Sequence, residues 1–363
     1  MDFNFTDEQE MLRDSVGRFL QNDYDFDARQ KLVRSDAPWS PAVWQQLAEF
    51  GLLALPFAEE QGGLGGTITD CVAFAELFGK HLVIEPYTSA IMLAGAALAA
   101  SDDPAAQGWL AKLIAGEAVV AFAYEEGHGT PSPELVTMVA QANGAGYTLS
   151  GEKRLVVAGA DAEALVVVAG KGEGGAPALF LVEAGAAGLE ARAYPTIDGR
   201  SAANIRFDAV PAVALVGAEA ALDRILAHAI IVQCADAVGA MGALFAITAE
   251  YAMTRKQFGA PIGTFQTVAH RLADMKIAYS KARASLLYTA ALAESGAVTP
   301  RDIAILKGQT GKLGRAIGEA AIQTHGGVGT TDELSVSHYH KRLLACDAMF
   351  GDHGYHFRKV GMG

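Results

Sequence analysis

Between Ile225 and Ile247 the chain carries no lysine, arginine or glutamate and a single acidic residue, Asp236, alongside His228 and Gln233. A helix with so little polar surface has to be covered on every side, by lipid or by a sizeable protein core. The stretch is rich in alanine and glycine, whereas a lipid-spanning helix is usually rich in leucine, isoleucine and phenylalanine. An unpaired aspartate near its middle is also costly in a bilayer. It therefore reads as a helix buried in the core of a soluble protein, with no membrane partner. The opening, MDFNFTDEQEM, has neither the basic segment nor the apolar run of a secretion signal. Three cysteines, Cys71, Cys234 and Cys346, are odd in number and far apart, which excludes a disulfide framework and a CxxC metal site and suits a reducing cytoplasm.

Covering such a helix takes apolar material. Of the 363 residues 51% are hydrophobic and 19% charged, which excludes an intrinsically disordered chain. At ~100–200 residues per domain the length suggests two or three domains. The net charge of −13 excludes nucleic acid as the main partner, because phosphate-backbone binding needs clustered cations.

The texture of the sequence changes twice. Residues 1–117 read as an α-helical domain: Thr6 to Gln9 is a capping-box pattern, Ser40-Pro41 pairs an N-cap with Pro at the first helical position, and Gly51 is a stop. Gly62 to Gly66 reads as a flexible loop. Over 118–217, short β-branched and aromatic runs alternate with Gly, Pro and Asn, at Val119–Tyr124, Leu135–Ala140, Tyr147–Leu149, Ala164–Ala169, Ala178–Val182 and Ala203–Phe207. Their spacing predicts an antiparallel barrel or sandwich. Residues 218–363 return to long helical segments broken at Gly259–Gly263, Gly296–Pro300 and Gly326–Thr331, the pattern of a four-helix bundle. The fold class is thus α+β and multidomain.

Several chemistries drop out. No G-x-G-x-x-G opens a helix after a strand and no G-x-x-x-x-G-K-[ST] occurs, so neither a Rossmann site nor a P-loop is expected. No H-E-x-x-H and no G-x-S-x-G elbow is present, which leaves metal binding and serine hydrolysis unsupported. His338 and His340 lie two apart on one helix and face apart. His353 and His356 suit a solvated terminus better than a metal.

Two segments carry more information. In AEYAMTRKQFGAPIGTFQ (249–266), Arg255 and Phe258 sit at the junction of two long helices. An arginine beside backbone amides can hold a pyrophosphate, and an aromatic next to it can cover a ring; a helix–helix corner accounts for the same residues equally well. In IQTHGGVG (322–329) the glycines let a ligand or another backbone approach closely, as would an ordinary helix cap and turn.

Together, in this order and spacing, the two segments resemble the acyl-CoA dehydrogenase family, as do LAEFGLLALPFAEEQGGLGG (47–66) and FDAVPAVALVG (207–217). The resemblance spans essentially the whole chain. It implies a helical, β-barrel, helical-bundle order, non-covalent FAD bound across a subunit interface, an acyl-CoA substrate, electron transfer onward to an electron-transfer flavoprotein, and a dimer or dimer of dimers. Arg255, Phe258 and Gln266 match positions that hold the pyrophosphate and adenine half of the cofactor, and Gln323 and Gly327 match a second adenosine-side segment. Phe122–Glu126 and the strand around Val156–Val157 match the flavin-facing part, with Glu125 and Leu155-Val156-Val157 where the family carries Thr/Ser and an aromatic-Ile-Thr/Ser triplet.

The family's proton-accepting Glu is the clearest departure. Its usual place falls on Gly351, within Phe350-Gly351-Asp352-His353, and its second known place falls on Ala229. Two expectations follow. Asp352, one residue along, takes the α-proton; alternatively, the chain is the base-less partner of a larger homologous subunit. The length and the FGDHGYHF ending resemble the small-subunit branch of the family, exemplified by pimeloyl-CoA dehydrogenase. A non-catalytic protein with the same fold is a third reading, disfavoured by the retained Arg255, Phe258, Gln266 and Gln323. Glu85, Asp236, Arg192, Arg200 and Arg206 read as structural or solvated groups.

Overall fold

A computed structural model describes residues 7–127, 135–144 and 146–362. The capping pattern expected at Thr6–Gln9 lies outside the described side chains. The chain forms two compact units, one of residues 1–31, 68–83 and 230–363, the other of 32–67 and 84–229.

The first unit is helical. Its elements are α1 (Asp7–Asp23), most of α2 (Phe26–Val33), α4 (Ile68–His81), the greater part of α7 (Leu222–Thr254), α8 (Gln266–Glu294), α9 (Pro300–His325), α10 (Ser335–Ala348) and α11 (His353–Met362). Helix α7 contains the uncharged stretch. It is the one helix among the described residues long and apolar enough to cross a membrane, and 67% of its most apolar window is buried inside the protein. The small residues expected to allow that burial do so at one crossing. A Cβ on Gly239 would lie 1.8 Å from the Glu76 carbonyl oxygen, and one on Gly79 would lie 1.7 Å from that of Asp236, so α4 and α7 touch backbone to backbone. Glu76 is buried there between Arg283, 3.1 Å away on α8, and Arg13, 3.7 Å away on α1. Asp236, expected to need a partner, has Arg342 at 3.4 Å. All three cysteines are buried and free.

The second unit holds α3 (Pro41–Glu49), a π-helical stretch Thr88–Gly95 running directly into α5 (Ala96–Ala99), α6 (Pro104–Ile114) and the β domain. Ser40 caps α3 as expected, accepting from the Val43 amide at 3.3 Å. Residues 62–66 are not the flexible loop expected. The amides of Gly65 and Gly66 donate to the carbonyls of Phe57 and Leu55, each at 2.8 Å, which fastens the loop to the chain before it.

The strands are β1 (Val120–Ala123), β2 (Val139–Asn143), β3 (Gly146–Val157), β4 (Ala164–Lys171), β5 (Pro177–Glu183), β6 (Leu189–Pro195) and β7 (Ser201–Ala214). Pairing runs β4-β2-β3-β7-β5 and closes from β5 back to β4, which makes the expected barrel. It is not purely antiparallel: β4 pairs in parallel with β1 and then with β2 along one edge. The strand expected at Leu135–Ala140 begins only at Val139. Strand β6, LEARAYP, alternates apolar and polar residues, but its apolar positions are mostly small and the strand is mostly exposed, pairing with β7 along its backbone; it is not among the strands expected.

Candidate functional site

Helix α7 ends at Thr254, and the chain turns through a short hairpin, β8 (Lys256–Gln257) and β9 (Ala260–Pro261), before α8 begins at Gln266. Phe258 and Gly259 form the two-residue turn, both with positive φ (53° and 83°), as a hairpin of this length requires. Phe258 is 96% exposed, touching only Phe265 edge-on at 6.1 Å. Arg255 is exposed with no ion pair among the described residues, and its backbone is fixed by bonds to Tyr251 and Ile262 at 2.8 Å each. Gln266 is exposed at the start of α8.

The second segment reaches the same place. Gln323, near the end of α9, is exposed, as is Gly327, where a Cβ would meet nothing within 4 Å. His325 stacks on Tyr251 with ring centroids 4.3 Å apart. That contact ties the end of α9 to the end of α7, four residues before Arg255. Burial lowers the His325 pKa, so the ring is neutral at neutral pH. Its Nδ1–H donates to the Ala321 carbonyl at 2.9 Å. The Tyr251–His325 stack is what joins the two segments, and Arg255, Phe258, Gln323 and Gly327 are each exposed within a few residues of it along the helical unit.

In the barrel, the flavin-facing match is built on a buried ion pair that the sequence reading did not find. Lys153 reaches Glu126 at 2.7 Å, with side chains 0% and 6% exposed, and donates also to the Tyr124 carbonyl at 3.1 Å. Burial pushes the Glu126 carboxyl up, but Lys153 and the Thr137 hydroxyl and amide outweigh it and hold the pKa at about 2. Its neighbour Glu125 is moved the other way: burial raises its pKa, with Lys153 opposing. Strand β3 breaks register between Lys153 and Val156, and Leu155 and Ala158 take positive φ. Five of the six non-glycine residues with positive φ among the described residues, Leu155, Ala158, Ala209, Phe258 and Phe350, thus lie in or beside the segments singled out from the sequence. Such conformations cost about 1–3 kcal/mol each and cluster at functional sites.

The turn between α10 and α11 is held from three sides. Lys307, 1% exposed, donates to the carbonyls of Asp347 and Gly351 at 2.8 and 2.9 Å. His353 donates to the Asp347 carboxylate through its amide (2.9 Å) and Nδ1 (2.7 Å). His356 is buried, and desolvation takes its pKa to about 4, so its neutral Nε2–H donates to the Phe350 carbonyl at 2.8 Å. The two histidines expected in a solvated terminus instead tie down this turn. Gly351 takes φ 88°. Asp352 is exposed, and its Oδ1 accepts the Tyr355 amide at 2.7 Å as the cap of α11, a bond that lowers its pKa. Ala229 is fully buried.

Profiles of one family match the chain from end to end: the acyl-CoA dehydrogenase N-terminal domain over residues 6–117, its middle domain over 121–210 and its C-terminal domain over 212–363. The chain belongs to the acyl-CoA dehydrogenase family. Among its relatives is the acyl-CoA dehydrogenase FadE27 of Mycobacterium tuberculosis (strain H37Rv), 27% identical over 99% of this chain and 98% of that one. Among solved structures, one chain of the ChsE4–ChsE5 complex from Mycobacterium tuberculosis superposes with a TM-score of 0.90 at 27% identity, covering 100% of this chain and 98% of that one. PigA with FAD and proline shares the fold, with a TM-score of 0.90 at 23% identity over 100% of this chain and 98% of that one.

The acyl-CoA dehydrogenase fold implies FAD, and the exposed residues suit its outer half. Arg255 is a cation with no ion pair among the described residues, Phe258 is an aromatic ring that meets Phe265 edge-on and is otherwise exposed, and a Cβ on Gly327 would meet nothing within 4 Å. Glu85 is buried and accepts the Ser40 amide at 3.2 Å, consistent with a structural role. Arg200, expected at a solvated strand end, is instead mostly buried beside Asp198 at 3.5 Å, whereas Arg206 is exposed near Asp208 and Arg192 is exposed. Lys153 and Lys307 were the residues missed. The one signal available for Lys153 was a lysine on a strand beside two consecutive acids at another strand's end.

Proposed function

We propose that this chain is the base-less partner in a two-chain, FAD-dependent acyl-CoA dehydrogenase of the cytoplasm. It supplies part of a cofactor site and the scaffold around the thioester, and a larger homologous chain supplies the carboxylate that takes the α-proton. The observation that carries this reading is the turn at 350–353. The usual base position is a positive-φ glycine, the second is a buried alanine, and the adjacent carboxylate, Asp352, is committed to capping α11 in solvent. A base for an α-proton needs a raised pKa in a dry pocket; Asp352 has a lowered one in water.

When bound, the flavin accepts the hydride of the α,β-dehydrogenation. Arg255 would hold its pyrophosphate as a charge-assisted pair, Phe258 would cover the adenine, and Gln266, Gln323 and Gly327 would line the adenosine side. Lys153 fixes the strand end at Tyr124–Glu126, the flavin-facing segment by resemblance. Electrons would leave to an electron-transfer flavoprotein. A homologous subunit suits the outer face of α8, where Ala269, Ala273, Ile277, Ala284 and Tyr288 are exposed at helical spacing. The substrate class proposed is that of the small-subunit branch the sequence resembles, dicarboxylic or steroid side-chain acyl-CoA thioesters.

The test is the visible spectrum of the chain purified alone and after co-expression with a homologue that carries the intact Glu. The partner reading expects acyl-CoA to bleach the flavin only in the pair, and Asp352→Ala to leave that bleaching intact. If the chain alone is yellow and bleaches, and Asp352→Ala abolishes it, then Asp352 is the base and the partner reading fails. A pair that binds no flavin removes both.

A further inference from the structure

The second unit contains a cleft of about 340 Å³ that none of the residues assigned above touches. Its floor is the π-helical stretch and α5, with Ile91, Met92, Ala96 and Ala99. One wall is the chain at Pro56–Gln61, and the other is the first turns of α7, with Arg224, Ile225 and His228. The cleft is part of the folded framework. Gln61 Nε2 donates to the Ala99 carbonyl at 2.8 Å, bridging wall to floor. A Cβ on Gly95 would lie 2.6 Å from the tip of the Phe57 ring, so the glycine is what lets that ring lie against the helix. The π-helical turn widens the helix at the floor, a distortion that recurs at functional sites.

The chemistry of the walls is one-sided. Apart from Gln61, Arg224 and His228, every lining residue is apolar, and none is acidic. Arg224 makes no ion pair among the described residues, although the chain as a whole carries −13. Arg224 also sits in the first turn of α7, where the helix dipole disfavours a cation unless an anion is close. His228 lies one turn further along the same face. A cation and, beside it, an imidazole that burial and Arg224 hold neutral therefore meet an apolar trough, two donors facing apolar walls.

We propose that this cleft binds a small amphiphile with a single carboxylate head and an unbranched apolar body. The head would pair with Arg224 and accept from His228, and the body would lie over Met92, Ala96 and Ala99. At roughly 30 Å³ for each water-sized group the volume holds about eleven such groups, the size of a free fatty acid about eight to ten carbons long. The volume falls at the small end of ligand sites.

Calorimetric titration of the purified full chain with octanoate tests this, with octan-1-ol as the uncharged control. Saturable binding of one octanoate per chain is expected, with octan-1-ol weaker. Arg224→Gln, an exposed substitution that leaves the core alone, should weaken octanoate by about tenfold or more, the loss of one charge-assisted hydrogen bond. Ala99→Trp should fill the trough and abolish binding, with its circular dichroism and melting temperature checked against the parent. Absence of saturable octanoate binding overturns the proposal. So does an affinity that Arg224→Gln leaves unchanged, whatever Ala99→Trp does.

Discussion

Replacing Lys153 with methionine asks whether the buried pair in the barrel is a structural commitment or an incidental contact. At 2.7 Å and an effective dielectric near 20, the attraction is ~6 kcal/mol. Desolvating the two ions costs several kcal/mol each, so the intact pair contributes little net stability. Removing only the lysine is different. Glu126 is then left buried with the Thr137 amide and hydroxyl and the Met138 amide as its donors, and the expected cost is about 3–5 kcal/mol. The neighbouring residue supplies the control. Arg154 meets Glu152 at 3.2 Å with side chains 53% and 48% exposed, and Arg154→Met should cost under ~1 kcal/mol. At ~2–4 °C per kcal/mol the Lys153→Met melting temperature should fall by roughly 6–20 °C, read by near-ultraviolet circular dichroism, with Arg154→Met close to the parent. Replacing both Lys153 and Glu126 by methionine should recover most of the loss, since no charge is then stranded. Equal effects of Lys153→Met and Arg154→Met, or a double variant as unstable as the sum of its singles, would refute the reasoning.

Glu126 also sets an acid response. Its pKa of about 2 lies below the ordinary 4.5, so its contribution is complete above about pH 4.5 and is lost as pH falls towards 2. Glu126→Gln should flatten the acid side of a melting-temperature profile, and an unchanged profile counts against the assignment. At the α4–α7 crossing, Gly239→Ala forces a methyl into the Glu76 carbonyl and should cost ~1–3 kcal/mol or more. Gly108→Ala, in open space within α6, should instead gain ~0.5–1 kcal/mol; urea titrations of the two variants should move in opposite directions. Phe258→Ala deletes a ring that touches little of its own chain, so the isolated chain should melt within ~0.5 kcal/mol of the parent while flavin retention through gel filtration falls. A large loss of melting temperature would give the ring a role inside the chain instead.

Much of the fold was legible because it rests on local rules. Long helices broken at glycines became α7, α8 and α9, and the breaks fell where the hairpin and the Gly326 turn lie. Ser40-Pro41 capped α3 because that chemistry is decided within four residues. What escaped was decided at a distance. Strand β6 exists because β7 offers it an edge. Residues 62–66 are ordered because Leu55 and Phe57 present carbonyls to them. Asp352 stands one residue from the family's base position, yet the turn that carries it aims its carboxylate at the Tyr355 amide, and no residue count gives that direction.

The cations make the same point about the site. Arg29, Lys153, Lys307 and Arg342 are the four buried cationic lysines and arginines among the described residues. Each donates to main-chain carbonyls, at Leu82, Tyr124, Asp347 with Gly351, and Val83 respectively. A buried charge is tolerated only where donors and acceptors surround it, and here the acceptors are peptide groups at bends of the chain. These cations are spent on shape. Cations left for ligands are among those the fold leaves exposed with no ion pair among the described residues, Arg192, Lys256 and Arg301 included; of these, Arg255 stands on the hairpin and Arg224 lines the cleft. In a chain of net charge −13, anion binding has to be local, and what sets those two arginines apart from the other exposed cations is place: one sits beside a bare aromatic ring on a tight hairpin, the other at the wall of an apolar cleft.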